Sequence, residues 1–302
     1  MIEIQEIKKF LSANEVKFEW QGNEAFHIES FCSLSNIKAS CITWAKTFDK
    51  LKEITDEDRK KLLIVCTKPE QGVLDIGNYI LCKDPKKTFF SILTHFFSTE
   101  PSKSIEKTSI VLTEKMGKNV SIGHGCYIGK DVEIGNDVSI GNHVVIECPT
   151  KIGNGTMIHS GVIIGTDGFG YYKDSNQYEK VPHFGGVSIG MNVEIGANTC
   201  IDRGTLDDTK IEDGVKIDNL CHIAHNVRIG KNSLIIAFSL MGGSCTVEED
   251  GYIAPGAIVK NQVTVHSNSV VGMGAVVTKD VPSGAVVAGV PAKIIRENDG
   301  RL

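Results

Sequence analysis

A mainly β chain is predicted, a triangular parallel solenoid behind a small α/β domain. Three observations predict it: an aliphatic residue at every sixth position from about residue 110, small or β-branched residues two positions before each aliphatic, and the loss of both patterns in the first hundred residues.

The front domain, residues 1–100, reads as mixed α/β. An amphipathic helix is expected near residues 2 to 12, and strands around Ile42 to Trp44, Leu62 to Cys66 and Tyr79 to Cys82. A second helix begins at about Pro85, where Phe89, Phe90, Leu93, Phe96 and Phe97 fall at helical spacing as a core-facing stripe. The polar stretch EPSKSIEK at 100 to 107 makes a short linker.

The solenoid is expected over 108–290. Its period holds from Ile110 to Ile164, resumes at Ile189, Ile195 and Ile201, and continues from Ile211 to Val277, 25 hexads in all. A period of six is neither the 3.6 of a helix nor the 2 of a half-exposed strand. It suits a solenoid in which each flat side takes one hexad, so that three hexads close a coil and residues 18 apart stack. Val120, Cys126, Val132, Val138, Cys221 and Cys245 occupy the slot two before the aliphatic, which a crowded inward corner restricts to small side chains. Gly follows the aliphatic at 123, 129, 135, 141, 153 and 165, and these glycines, with Asn or Asp nearby, are expected to make the turns between sides, where positive φ costs Gly little and Asn tolerates it.

Two breaks interrupt the period. Between Ile164 and Ile189 there are 19 extra residues, a loop at 165–188 rich in Gly and aromatics and expected to cover a cleft. Between Ile201 and Ile211, four more lie within DRGTLDDT. Residues 291–302 form a short tail.

The net charge of −5, with Lys and Arg scattered, gives no basic stripe for nucleic acid. MIEIQEIKKFLSAN interleaves acids and lysines with aliphatics and no stretch of 18 apolar residues follows, so a cytoplasmic protein that does not span a membrane is expected. Nine cysteines without a C-x-x-C pair are expected to be reduced thiols.

Acyl transfer from a thioester needs a base near the nucleophile and a donor for the developing oxyanion, and no cofactor. Of nine histidines only His222 and His225 stand close together, in DNLCHIAHNVRIG. His225, two after Ile223, lies at an outward corner; Gly243 stacks above it, and Arg203 is its equivalent one coil below if the extra residues of the second break bulge out after it. A zinc site of three histidines is the competing enzyme reading, but Leu240 and Gly243 stand one coil above His222 and His225, so no third ligand stacks with them. A non-catalytic solenoid that binds a sugar nucleotide is a further alternative.

The hexads resemble those of the left-handed β-helix transferases, which assemble as trimers with active sites between subunits. FGYYKDSNQYEKVP, IGANTCIDRGTLDDT and KIDNLCHIAHNVRIG, in this order, resemble the signature of the UDP-3-O-acylglucosamine N-acyltransferase family of lipid A synthesis (LpxD). That resemblance implies a left-handed parallel β-helix and a homotrimer that moves an acyl group from acyl-CoA or acyl carrier protein to the amine of a UDP- or dTDP-linked amino sugar. It implies His225 as general base and Gly243 as oxyanion donor. Asp218, Asn219, His222, Asn226 and Arg203 would line the acceptor site, and Phe169 and Tyr171 would help shape the acyl and sugar sites. The front domain would hold the base, with Trp44 and Phe48 as candidates. Gln262 stands near where the family pattern expects a further histidine, and the ending GMGAVVTKDVPSGAVVAGVPAKIIRENDGRL resembles coenzyme A dependent sugar acetyltransferases.

Overall fold

The computed structural model describes residues 1–69, 76–98, 103–147 and 149–300; Cys148, the start of the expected linker and the last two residues of the tail lie outside them. The chain divides into two compact units, Met1–Glu100 and Pro101–Leu302.

In the first unit the opening helix, Ile4–Ala13, starts at Glu3 in a capping box, in which the Glu3 side chain accepts the Glu6 N–H and the Glu6 carboxylate accepts the Glu3 N–H at 2.8 Å, and it buries Ile4, Ile7 and Leu11. A five-stranded sheet runs in the spatial order Phe18–Gln21, Asn78–Cys82, Leu62–Cys66, Cys41–Trp44, Ser30–Phe31, with only the first pair antiparallel. Alternate residues of Leu62–Cys66 point to opposite sides, so Leu63 and Val65 join one apolar cluster while Leu62, Ile64 and Cys66 join another. A continuous apolar run is what a strand covered on both faces requires. The helix Pro85–Phe97 is capped by Asp84 and buries Thr88, Phe89 and Ile92. Its inward face is therefore rotated from the expected aromatic stripe: Phe90 is 48% exposed, because Ile92 takes the place nearest the sheet.

The second unit is a solenoid with three sheets of nine, seven and ten strands, which the chain takes in rotation as parallel strands until Lys293–Glu297 folds back antiparallel onto Ala285–Ala288. The hexad aliphatics point inward and form one continuous core. The slot two before them is buried as well, from Val120 and Cys126 to Cys221 and Cys245. Strand register confirms the stacking: His222 pairs with Leu240 above and Cys200 below, and Ile223 with Met241 and Ile201. At the first coil the period slips by one, since Ile110 pairs with Tyr127 and is 57% exposed while Val111 takes the inward place beside Ile128.

Except at Gly165, whose φ is +97°, the glycines after each aliphatic have a different reason from the one expected. Positive φ falls two residues further on, at Gly125, Asp137, Gly155, Asn198, Gly214, Asn226 and Asn232. A Cβ at Gly123, Gly135 or Gly153 would instead come within about 3 Å of the backbone of the next coil, at 2.8, 2.9 and 2.4 Å. Close approach between coils, not turn geometry, selects Gly there.

Candidate active site

Both breaks in the period leave the solenoid at one corner. The nine-stranded sheet hands over to the seven-stranded one between Ile164 and Val187, between Arg203 and Thr209, between Ile223 and Arg228, and between Met241 and Thr246. The first gap holds the long loop, the second DRGTLDDT, the third His225 and the fourth Gly243. Rotation of the chain through three sides thus piles these four segments above one another.

The long loop is a hairpin: Tyr171–Asp174 pairs antiparallel with Gln177–Lys180. Lys180 meets Asp167 at 2.9 Å across its base, and the ammonium holds that carboxyl below its usual range. The returning limb is sewn to the second break, with the Phe184 N–H donating to the Thr205 carbonyl at 2.8 Å and the Gly185 N–H to the Gly204 carbonyl at 3.0 Å. Arg203 joins the same seam, its Nε donating to the Gly185 carbonyl at 2.7 Å. Phe169 and Tyr171 stand 5.0 Å apart between ring centroids, with Phe169 87% exposed.

His225 is half-buried in the middle of this stack. Its Nδ1 lies 3.0 Å from Asn226 Oδ1, which also receives the Thr205 N–H at 3.1 Å and the Thr205 hydroxyl at 2.8 Å. A backbone N–H can only donate, so the Asn226 atom is the amide oxygen and His225 Nδ1 must carry the hydrogen. Nε2 is then the free lone pair, the form a general base requires. Asn226 is suited to the place twice over, since it adopts φ +61° in the turn and supplies that acceptor.

Glycines enclose the imidazole on two sides. A Cβ at Gly168 would lie 2.6 Å from His225 Cδ2, and one at Gly243 2.7 Å from His225 Nε2. The Gly243 carbonyl accepts the Gln262 N–H at 3.0 Å, whereas the Gly243 N–H donates to no acceptor among the described residues. A free N–H beside a free basic nitrogen is the pairing that acyl transfer uses.

Two residues that sequence reasoning missed complete the cluster. Asp202, 6% exposed, lies with Oδ2 3.7 Å from His222 Nε2 and takes the Thr166 hydroxyl at 3.3 Å. Burial pushes its carboxyl up, against the pull of His222, His225 and His183. His183, on the returning limb of the hairpin, meets the His225 ring edge-on at 5.3 Å. Asp202 had a signal: it follows the hexad aliphatic Ile201, where Gly is usual. His183 had none, since the hairpin lies outside the periodic frame.

The other candidates are placed elsewhere. Asp218 and Asn219 belong to the corner at the opposite end of the strand His222–Ile223. There Asp218 accepts the Asn219 and Ala237 N–H groups, and Asn219 accepts that of Ala197. Both line a separate depression of about 390 Å³ with Lys216 and the ion pair His159–Glu194, 2.9 Å apart. In the first unit Trp44 packs on Phe89 and Phe90, and Phe48 on Tyr79, in clusters on opposite sides of the sheet, so the two do not form one stacking site.

A hexapeptide solenoid with this corner defines a class, and the chain matches the family described as bacterial transferase hexapeptide (six repeats) over residues 115–148 and 208–243. Its architecture is that of the left-handed β-helix acyltransferases. It resembles the UDP-N-acetylglucosamine acyltransferase of Francisella novicida at a TM-score of 0.58 and 25% identity, over 65% of this chain and 71% of that one. The corresponding protein of Campylobacter jejuni aligns at 0.57 and 24%, over 64% and 75%.

More particularly, the chain is similar to curated UDP-3-O-acylglucosamine N-acyltransferases. It is 42% identical to that of Methylobacterium nodulans over 152 residues, 48% of this chain and 42% of the relative. It is 46% identical to one from Legionella pneumophila over 93 residues, 31% of this chain and 27% of the relative. The match thus spans less than half the length of these relatives.

Proposed function

We propose that this chain is an N-acyltransferase that moves an acyl group from a thioester to the amine of a UDP-linked amino sugar, in the synthesis of lipid A or a related surface glycan. The observation that carries the reading is the corner where the free Nε2 of His225 adjoins Gly243, which bears an unengaged N–H, in a chain similar to enzymes named for this transfer.

The amine nitrogen attacks the thioester carbonyl carbon while His225 Nε2 takes one of its protons. The Gly243 N–H receives the charge that develops on the carbonyl oxygen. The buried Asp202 carboxylate offsets the imidazolium formed on His225. The tetrahedral adduct collapses with cleavage of the C–S bond, and the His225 proton passes to the departing thiolate, giving amide and thiol. Acyl-CoA or acyl carrier protein serves as co-substrate, with no cofactor. Phe169 and Tyr171, standing out from the corner, border the acyl and sugar sites, and Arg203 and Asn226 hold that border in place. Asp218, Asn219 and His222 contribute to acceptor binding from the neighbouring side, and Trp44 or Phe48 contacts the base. The working form is a homotrimer with its sites between subunits, acting in the cytoplasm; among the described residues no helix is long and apolar enough to cross a membrane.

Mass spectrometry of products from a panel of amino-sugar nucleotides, each offered acyl-CoA and acyl carrier protein donors, tests the assignment. Gain of an acyl mass on the sugar amine, with release of free thiol, is expected, and the donor consumed identifies the chain length. No transfer from any donor to any amino-sugar nucleotide overturns it.

A further inference from the structure

His183 is the one described residue of the corner whose side chain holds a fully buried polar atom without a hydrogen-bond partner. It is 6% exposed. Its Nδ1 lies 2.9 Å from the Val181 carbonyl, which can only accept, so Nδ1 carries the hydrogen and Nε2 of the neutral ring bears a lone pair. That Nε2 is fully enclosed and has no hydrogen-bond partner. Asp202 and Asp167, the latter with Lys180 and Arg203 beside it, are charged groups near it, and the His225 ring meets it edge-on at 5.3 Å. A phenyl ring would fill the same place, keep the edge-on contact and leave no desolvated nitrogen without a partner. Holding an imidazole there sacrifices stability, and stability is given up where a site needs the group.

We propose that His183 is a substrate-positioning residue: its Nε2 accepts a hydrogen bond from an O–H or N–H of the acceptor sugar as that sugar seats beside His225. This deepens the transfer reaction proposed above and rests on it. His183 sits on the limb that the Phe184 and Gly185 N–H groups fasten to the second break, so the hairpin carries the acceptor's partner to the same corner as the base. With Nδ1 engaged, the neutral form of the ring accepts only, which fits a sugar hydroxyl or amine and not a phosphate or carboxylate.

The test is calorimetric binding of the UDP-linked amino sugar to the full chain, with steady-state kinetics and thermal midpoints, for wild type, His183→Phe, His183→Gln and His183→Asn. The Gln amide reaches where Nε2 stands, and the Asn amide only where Nδ1 stands. His183→Phe should weaken acceptor binding about tenfold, the loss of one such bond. Its KM for the thioester should be unchanged and its thermal midpoint equal or higher. His183→Gln should bring affinity back to within about threefold, and His183→Asn should not. Wild-type acceptor affinity in His183→Phe, as for a nitrogen that merely holds a water, overturns the proposal. So does failure of Gln to restore binding, a change in the thioester KM in place of the acceptor's, or an equal loss in all three variants with a falling midpoint. If the wild-type chain turns over no amino-sugar nucleotide, the transfer reaction itself fails; if it does and His183→Phe matches it, only this inference fails.

Discussion

Gly242 and Gly243 are adjacent in sequence, yet a methyl group added to each should do opposite things. At Gly243 the backbone lies outside the left-handed region, and the nearest atoms to a new Cβ all belong to His225: Nε2 at 2.7 Å, Cε1 at 2.9 Å and Cδ2 at 3.3 Å. Ordinary contact needs roughly 3.5 Å or more, so Gly243→Ala must push the imidazole back by nearly an ångström while leaving the solenoid core untouched. A displacement of about 1 Å at a reacting group costs on the order of 10² in rate. The expected result is a fall in kcat of about 10² with KM within about threefold, and a thermal midpoint within a degree or two. At Gly242 the new Cβ meets Asn261 N at 2.6 Å and the Val259 carbonyl oxygen at 2.8 Å, rigid backbone of the next coil. Gly242→Ala should therefore lose about 1–3 kcal/mol of stability. Paired kinetics and calorimetric scans of the two variants make the comparison. A Gly243→Ala enzyme with wild-type kcat, or one that loses stability as Gly242→Ala does, would refute the placement of the reaction against His225 Nε2.

His225→Ala should lower kcat by at least about 10² with the circular dichroism of the solenoid retained. Asn226→Ala removes the acceptor that fixes the His225 tautomer and places Ala at φ +61°; about tenfold in kcat and roughly 1 kcal/mol of stability should go, measured by kinetics and denaturant titration. Asp202 gives a pH signature. Its carboxyl is raised by burial, so the folded state binds the proton more tightly than the unfolded one, and the stability it supplies below the ordinary carboxylate range is lost as pH rises through the raised value. Asp202→Asn should match the wild-type midpoint in acid, exceed it at neutral pH and have a lower kcat; a midpoint difference independent of pH would count against this. Cys221 and Cys245, pushed up to about 11 and about 12 by burial, should resist thiol reagents in the folded chain at pH 8 and react after unfolding, as peptide mapping can follow.

The solenoid was legible because a six-residue period is imposed by packing at every coil, and each inward aliphatic repeats the same message. His225 and Gly243 were legible because they share that frame, 18 residues apart. The frame misled only where local sterics differ: Ile110 lies outside because the first coil has no coil beneath it to hold its register, and the glycines serve coil approach where turns were expected. His183 approaches His225 through a hairpin whose path no period encodes, and that contact exists only in three dimensions. Asp218 and Asn219 share the DNLCHIAHN motif with His225, but one strand of the solenoid carries them to the far end of a side. Nearness in sequence is a poor guide to nearness across a corner.

Because the hairpin, the second break, His225 and Gly243 occupy successive storeys of one corner, height above His225 comes only in whole strand spacings of roughly 4.8 Å. A ligand reaching up this corner from His225 meets Gly243 first and then Gln262, whose N–H is bonded to the Gly243 carbonyl. Substitutions on this edge therefore act at discrete levels along a bound chain. Excising one whole coil above Gly243 should rejoin the sheets in register and lower everything beyond it by a single step, leaving His225 and Gly243 where they were.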